Sequence, residues 1–256
     1  MEFSFPDQPV AAISGGLGDI GLATARLLQQ AGCRVAIGDA QSADEGRMSA
    51  EGNHYHTVDV RDERSIELWF DAIRTHFGRS ATIIVANAGV VRPGTGLETP
   101  CADWNETLAV NLTGAWLTAR VGAKRLISEG STGSIVFTGS WAGHAPHVNL
   151  VAYCTAKAGL RMVTQCLAAE LADKGILVNE VAPGYVDAGL SAEMFRRDPG
   201  LAERARRSVP VGKLIGAVEV AEAIAYLCHP RHQNLTGATL VLDGGLSLLR
   251  APKTGP

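Results

Sequence analysis

Seven short strand-like runs, spaced along nearly the whole chain, constrain this sequence more than any other feature. They are VAAIS (10–14), RVAIGD (34–39), HYHTVDV (54–60), ATIIVANAG (81–89), GSIVFTGS (133–140), GILVNEVAPG (175–184) and ATLVLDGG (238–245). Helical periodicity fills most of the gaps: IGLATARLLQQAG after the first run, SIELWFDAIRTHFG (65–78), and segments near 101–128, 152–173 and 217–228. Several runs are continuously apolar and rich in β-branched residues, the pattern of strands buried on both faces. Such strands need a parallel sheet with helices above and below it. Right-handed crossovers then give a doubly wound α/β fold of three αβα layers, the Rossmann type. The 256 residues suit one such domain over 1–256, and 46% apolar residues supply its core. No internal repeat, low-complexity segment or linker interrupts it, and the tail APKTGP (251–256) reads as loosely ordered.

Charge and composition exclude several classes of function. A net charge of −3 with no basic stripe argues against nucleic acid as a partner. The opening MEFSFPDQPV lacks the basic and apolar regions of a signal peptide, and no apolar run approaches a membrane span. The five cysteines (33, 101, 154, 166 and 228) are odd in number and widely spaced, which suits reduced thiols in the cytoplasm. The histidines pair loosely without a third ligand nearby, so no metal site is expected.

The loop between the first strand and first helix, ISGGLGDIGLATA (13–25), is built for an anion. Glycines let a backbone approach a pyrophosphate, and the following helix offers unpaired N–H groups. Gly16, Gly18 and Gly21 form G-x-G-x-x-G, a weak signal that gains weight from its position. Asp39 ends the second strand, 18 residues past Gly21. A carboxylate there accepts both ribose hydroxyls of NAD and repels the 2′-phosphate of NADP. Asp19 sets a negative charge inside this loop. The expectation is that it caps the first helix, accepting an N–H from Gly21 or Leu22, so that its charge points at amides.

A second constellation carries proton chemistry. Tyr153 and Lys157 in YCTAK share one helix face at i, i+4. An ammonium near a phenol favours the phenolate, which can exchange a proton with an alcohol. Ser140 ends a strand at the carboxyl edge, where ligands bind in such sheets. Asn111 lies within a helix, where a buried amide needs hydrogen-bond partners.

Together these motifs resemble the short-chain dehydrogenase/reductase family, in its single-domain subtype, from about residue 10 to 248. SGGLGDIG stands where that family has T-G-x-x-x-G-x-G; ANAG (86–89) matches N-N-A-G, and TGATLVLDGG matches its closing strand. The resemblance implies an NAD-dependent oxidoreductase that moves a hydride between a secondary alcohol, such as a polyol or hydroxy acid, and the nicotinamide. It implies a catalytic tetrad: Tyr153 as general acid/base, Lys157 lowering its pKa and holding the nicotinamide ribose, Ser140 polarising the substrate oxygen, and Asn111 anchoring a water. Cofactor contacts are implied at Ser14, Gly15, Leu17, Gly18, Asp19, Ile20 and Gly21 in the loop, and at Asp39, Asp59 and Val60. Further contacts fall at Asn87, Ala88 and Gly89, at Tyr153 and Lys157, and at Pro183, Gly184 and Val186. Ser140, His147, Tyr153 and Gly184 are implied to face the substrate.

The chain departs from the family pattern at Asp19, at Ala86, and at Ala188 in place of a common Thr. The segment 188–215 is the expected substrate lid, with Met194 and Phe195 as an apolar wall. Its arginines, at 196, 197, 204, 206 and 207, read either as an anion clamp or as a solvated face balanced by Glu193, Asp198 and Glu203. The family also implies a homotetramer. Two other functions stay open: a 3-hydroxyacyl-thioester dehydrogenase or 3-oxoacyl reductase of the same family, and a non-catalytic NAD sensor.

Overall fold

The seven strands pair, all in parallel, in the order β3-β2-β1-β4-β5-β6-β7. The computed structural model describes residues 3–42, 52–189, 192, 195–196 and 199–248. The strands are β1 (Val10–Ser14), β2 (Arg34–Asp39), β3 (Asn53–Thr57), β4 (Ile83–Ala86), β5 (Gly133–Thr138), β6 (Ile176–Pro183) and β7 (Thr239–Leu242). The helices are α1 (Asp19–Gln30), α2 (Glu63–Phe77), α3 (Cys101–Leu108), α4 (Ala115–Ser128), α5 (Val151–Leu171), α6 (Pro199–Ser208) and α7 (Ala217–Cys228). The fold is the doubly wound α/β type expected from the sequence.

Alternation along each strand sends neighbours to opposite faces. Ala12, Ile84, Ile135 and Phe137 pack with Trp69 and Phe70 of α2, Leu126 of α4 and Leu160 of α5. Ile13, Ile37, Val85 and Val136 face the other way, onto Leu28 of α1 and Ile224 of α7. Isoleucines 13, 84 and 135 are fully buried, each worth roughly 1.5–3 kcal/mol on apolar transfer values. Helix α4 lies close on the sheet at Gly122, where a Cβ would sit 2.2 Å from Ile84 Cδ1.

The apolar pattern overestimates several strands. β3 stops at Thr57, β4 at Ala86, β5 at Thr138 and β7 at Leu242. The residues beyond leave the ladder at the carboxyl edge and become the walls of a crevice. That crevice opens at the switch point, where β1 leads outward to β2 and β3 and the chain returns to β4. The predicted helix 101–128 carries a six-residue π turn, Ala109–Gly114, between α3 and α4. Within 188–215 lies α6. Met194 and Arg197 of the expected lid, with Glu193 and Asp198, lie outside the described residues, as does the tail 251–256. Among the described residues no helix is long and apolar enough to cross a membrane.

Candidate active site

At the end of β1 the chain folds back on the first turn of α1. Gly15 has φ +62°, and a Cβ there would lie 2.5 Å from Ala88 Cα. A Cβ on Gly21 would lie 2.5 Å from the Gly15 carbonyl oxygen. Neither position admits a side chain. Gly18 is the N-cap of α1 and gives it no side-chain cap. The first amides of α1 are thus left to a ligand, the arrangement that receives a pyrophosphate.

Three side chains hold this loop. The Asp39 carboxylate accepts the Leu17 N–H at 3.1 Å and the Gln41 N–H at 3.0 Å, so Leu17 takes part through its backbone. Asn87 donates to the Gly15 carbonyl at 2.9 Å, and its oxygen accepts the Thr138 hydroxyl at 3.1 Å. Ser14 Oγ accepts the Asn87 N–H at 3.3 Å. The ends of β1, β4 and β5 are thereby stitched together across the switch point. On the far wall, Arg61 binds Asp59 at 2.7 Å and holds its carboxyl below the usual range. Val60 is buried there, and a Cβ on Gly114 would lie 2.7 Å from its Cγ2.

The structure corrects the expectation for Asp19. Its carboxylate does not cap α1. It accepts the Gly189 N–H at 2.6 Å, from a residue 170 positions away. Beside it, the Ala192 N–H donates to the Ala188 carbonyl at 3.2 Å. The glycine loop approaches this segment across the crevice, so a foreign amide reaches the carboxylate. Ile20 lines the crevice beside it.

At the chemistry end, the Ser140 side chain stands beside the Tyr153 phenol, and its Oγ accepts the Ala142 N–H at 3.2 Å. Lys157 Nζ lies 5.6 Å from the centre of the Tyr153 ring and donates to the Thr138 carbonyl at 2.7 Å. Burial pushes the Tyr153 phenol up to about 12, while the neighbouring Ser140 hydroxyl pulls it down. Desolvation of the phenol thus opposes the lowering expected from the Tyr–Lys spacing. Burial also lowers Lys157 to about 8, and the nearby Glu180 carboxylate opposes that fall. Asn111 is fully buried in the π turn. Its Nδ2 donates to the Val90 and Thr107 carbonyls, both at 2.9 Å, and its Oδ1 accepts the Val90 N–H at 3.2 Å. A Cβ on Gly89 would lie 2.9 Å from that oxygen.

Beyond Ser140 stands a cluster of three rings. Trp141 lies 5.4 Å from His147 and 5.5 Å from Tyr185, centre to centre. His147 Nδ1 lies 2.8 Å from the Val148 carbonyl, which can only accept, so Nδ1 carries the proton. Nε2 then accepts the Tyr185 hydroxyl at 3.1 Å. Pro183 and Gly184 close the end of β6, where a Cβ on Gly184 would lie 2.8 Å from Asp243 Cα. Val186 pairs with Ile215 and anchors the following segment. Cys154 has its thiol raised by burial, which makes it a poor nucleophile.

One cavity of about 1030 Å³ runs through all of this, from Asp39 and Asp59 to Tyr153 and α6. Ser14, Leu17 and Gly21 stand behind its wall, and the remaining predicted contacts line it. Its length, glycine floor and strand-end acid fit a dinucleotide with room for a small second molecule. Among the described residues no group of three or more metal-ligating side chains is found. Thr138, Glu180 and Tyr185 escaped the sequence reading. Only Tyr185 had a signal, its place directly after Pro183-Gly184.

Residues 16–247 match a family model described as enoyl-(acyl carrier protein) reductase. The chain is 38% identical over 248 residues to cis-4-hydroxycyclohexanecarboxylate dehydrogenase of Sinomonas cyclohexanicum, covering 93% of this chain and 96% of that one. It is 32% identical to D-threitol dehydrogenase of Mycolicibacterium smegmatis, covering 97% and 96%. It is also 32% identical to the human 3-oxoacyl-[acyl-carrier-protein] reductase, covering 94% and 98%. Among solved structures, a putative 2-deoxy-D-gluconate 3-dehydrogenase from Agrobacterium tumefaciens with bound NADP superposes with a TM-score of 0.86 at 28% identity, covering 96% and 98%.

Proposed function

This chain belongs to the short-chain dehydrogenase/reductase family, and we propose that it is an NAD-dependent dehydrogenase of small secondary alcohols, with Asn111, Ser140, Tyr153 and Lys157 as its catalytic tetrad. The observation that carries this reading is the meeting of Ser140, Tyr153 and Lys157 on one cavity wall, with Lys157 Nζ 5.6 Å from the centre of the Tyr153 ring, beside the glycine floor. When bound, a nicotinamide supplies the carbon that takes or gives the hydride and, when oxidised, a positive charge near the phenol.

The chain's own residues supply the proton path. Tyr153 Oη takes the proton from the substrate hydroxyl during oxidation and returns it to a carbonyl oxygen during reduction. Ser140 Oγ holds the same oxygen and stabilises the charge that develops on it. Lys157 would hold the nicotinamide ribose, and its ammonium together with the nicotinamide charge would offset the desolvation that raises the Tyr153 phenol. Asn111 holds Val90 and the π turn in place, and with them a water leading from Lys157 toward solvent.

Asp39 supports NAD over NADP. It lines the cavity at the end of β2, where the ribose is expected, and Arg61, a lining cation, is tied to Asp59. The whole chain works as one domain with 188–215 as its lid. A cleft lined by Leu112, Trp116, Met162 and Val163, with Met162 56% exposed, supports burial of the α4–α5 side against further copies in a homotetramer. Sedimentation tests that assembly. The second reading, a 3-oxoacyl-thioester reductase, is favoured by relatives with that name at 32% identity.

The test follows reduced-cofactor absorbance with NAD and with NADP across cyclic alcohols, polyols, hydroxy acids and hydroxyacyl thioesters. Turnover with NAD on a secondary alcohol is expected, with Tyr153→Phe losing turnover while still binding the cofactor. Undiminished turnover in that variant overturns the mechanism. Preference for NADP overturns the role given to Asp39.

A further inference from the structure

Glu180 is a buried carboxylate that the proton path of the proposed reaction leaves unused. Alternation along β6 sends Val178 to the α5 face of the sheet and Val181 to the opposite one. Glu180, in step with Val178, therefore points at α5. That helix carries two cations one turn apart, Lys157 and Arg161. Lys157 Nζ reaches the Thr138 carbonyl at 2.7 Å. Glu180 rests against the next residue, Gly139, where an added Cβ would lie 1.8 Å from its Oε1. From the other side, the Thr239 hydroxyl of β7 donates to Glu180 Oε2 at 2.7 Å. Ammonium and carboxylate thus close on one short segment, Thr138–Gly139, which leads directly into Ser140.

A carboxylate is rarely buried without cations to face it. Burial raises Glu180, and the Thr239 hydroxyl, Lys157 and Arg161 oppose that rise. In turn, Glu180 raises Lys157 against its own burial. The other titratable groups around α5 have partners of their own. His144 accepts from Arg161 at 3.1 Å. Asp243, after β7, accepts the Gly245 and Ser247 amides at 2.8 Å and 2.7 Å. Glu106 on α3 binds Arg92, and α4 turns Arg120 and Arg125 onto Glu63 and Asp71 of α2. On α5 itself, Tyr153 and Cys154 lie one turn before Lys157, and the π turn contributes the uncharged Asn111.

We propose that Glu180 is a positioning residue, the buried countercharge that keeps Lys157 an ammonium at the Thr138 carbonyl and beside Tyr153, with Gly139 left bare of a side chain to admit it. This rests on the secondary-alcohol reading for what the ammonium does in turnover, though not for the charge itself.

The test follows the titration of Lys157 by NMR in the full protein, with its five lysines labelled at Cε and the Lys157 signal assigned by its loss in Lys157→Met. Glu180→Gln keeps the shape and an acceptor for Thr239, and should weaken proton binding at Lys157 about tenfold or more. Glu180→Asp, which keeps the charge, should retain most of that affinity. Coupling is reciprocal, so Lys157→Met should strengthen proton binding at the Glu180 carboxyl by a like factor. That second titration decides the matter if Glu180→Gln does not fold. An unchanged Lys157 midpoint in Glu180→Gln overturns the proposal, as does an unchanged Glu180 midpoint in Lys157→Met, whatever either variant does to stability. In turnover, the activity lost as pH rises through the Lys157 midpoint should be lost at lower pH in Glu180→Gln. A profile that stays in place overturns the part of Glu180 in catalysis. If the wild type oxidises no secondary alcohol, the reaction reading fails, while the titrations still decide the countercharge.

Discussion

The bond from Gly189 to Asp19 joins the loop under the expected pyrophosphate to the first turn of the lid. At 2.6 Å to a carboxylate it is short and charge-assisted. Its exposure reduces its net worth to about 1 kcal/mol, or about fivefold in the balance between a closed and an opened lid. Asp19→Ala removes the acceptor and should speed NADH release about fivefold, with little change in association. A second effect opposes this, because the same substitution removes a negative charge from an anion site. Asp19→Asn separates the two, since it keeps an acceptor oxygen and drops the charge. Stopped-flow displacement of NADH should show faster release in the Ala variant and unchanged or slower release in the Asn variant. Hydrogen exchange at the Gly189 amide should accelerate in the Ala variant, while the global melting temperature stays near that of the wild type, because the lid opens locally. Unchanged exchange and release in the Ala variant would refute the argument. Equal tightening in both variants would show that charge alone matters.

Two further perturbations test the buried polar layer beneath the site. Lys157 falls from 10.5 to about 8 on burial, so folding favours its neutral form, at a cost of about 3 kcal/mol while the side chain is charged. Below about pH 8 that cost is felt in full; between about 8 and 10.5 the unfolded chain holds more protons, and stability gained by the wild type relative to Lys157→Met should rise with pH. Denaturant titrations across that window check it, and a flat difference would contradict it. Gly139 faces Glu180, whose Oε1 would lie 1.8 Å from an added Cβ and whose Oε2 accepts the Thr239 hydroxyl at 2.7 Å. Gly139→Ala should therefore destabilise by about 1–3 kcal/mol. Combining it with Glu180→Ala should cost less than the sum of the two changes, as a double-mutant cycle would reveal.

The fold was legible because parallel strands buried on both faces leave unbroken apolar runs, as in ATIIVANAG, and because helices of period 3.6 separate them. The grouping of the residues proposed as the tetrad was legible because Tyr153 and Lys157 sit on one helix face and Ser140 sits at a strand end. Strand ends were less so: Asn87 and Ser140 continue apolar runs in sequence yet leave the ladder to face the crevice. Asp19 was misread because local pattern suggests a local cap, whereas its partner is chosen by the approach of two loops across the cleft. Glu180 was invisible for a related reason. Its neighbours Lys157, Gly139 and Thr239 come from three other elements, and nothing within NEVAPG signals them. The desolvation of the Tyr153 phenol was not legible, because spacing reports proximity to an ammonium and says nothing of burial.

The π turn at Ala109–Gly114 also bears on how this chain can change length. A π turn of this kind is equivalent to one residue inserted into an otherwise α-helical rod. Deleting a residue there would let α3 and α4 run on as one regular helix, locally sound and even better bonded. Because the π turn absorbs that residue locally, the faces on either side would keep their phase, and Gly122 would stay on Ile84. The loss would fall inside the turn, where Asn111 is carried to Val90 and Thr107. A residue can leave this helix without disturbing the sheet, at the expense of the one buried amide that the turn positions.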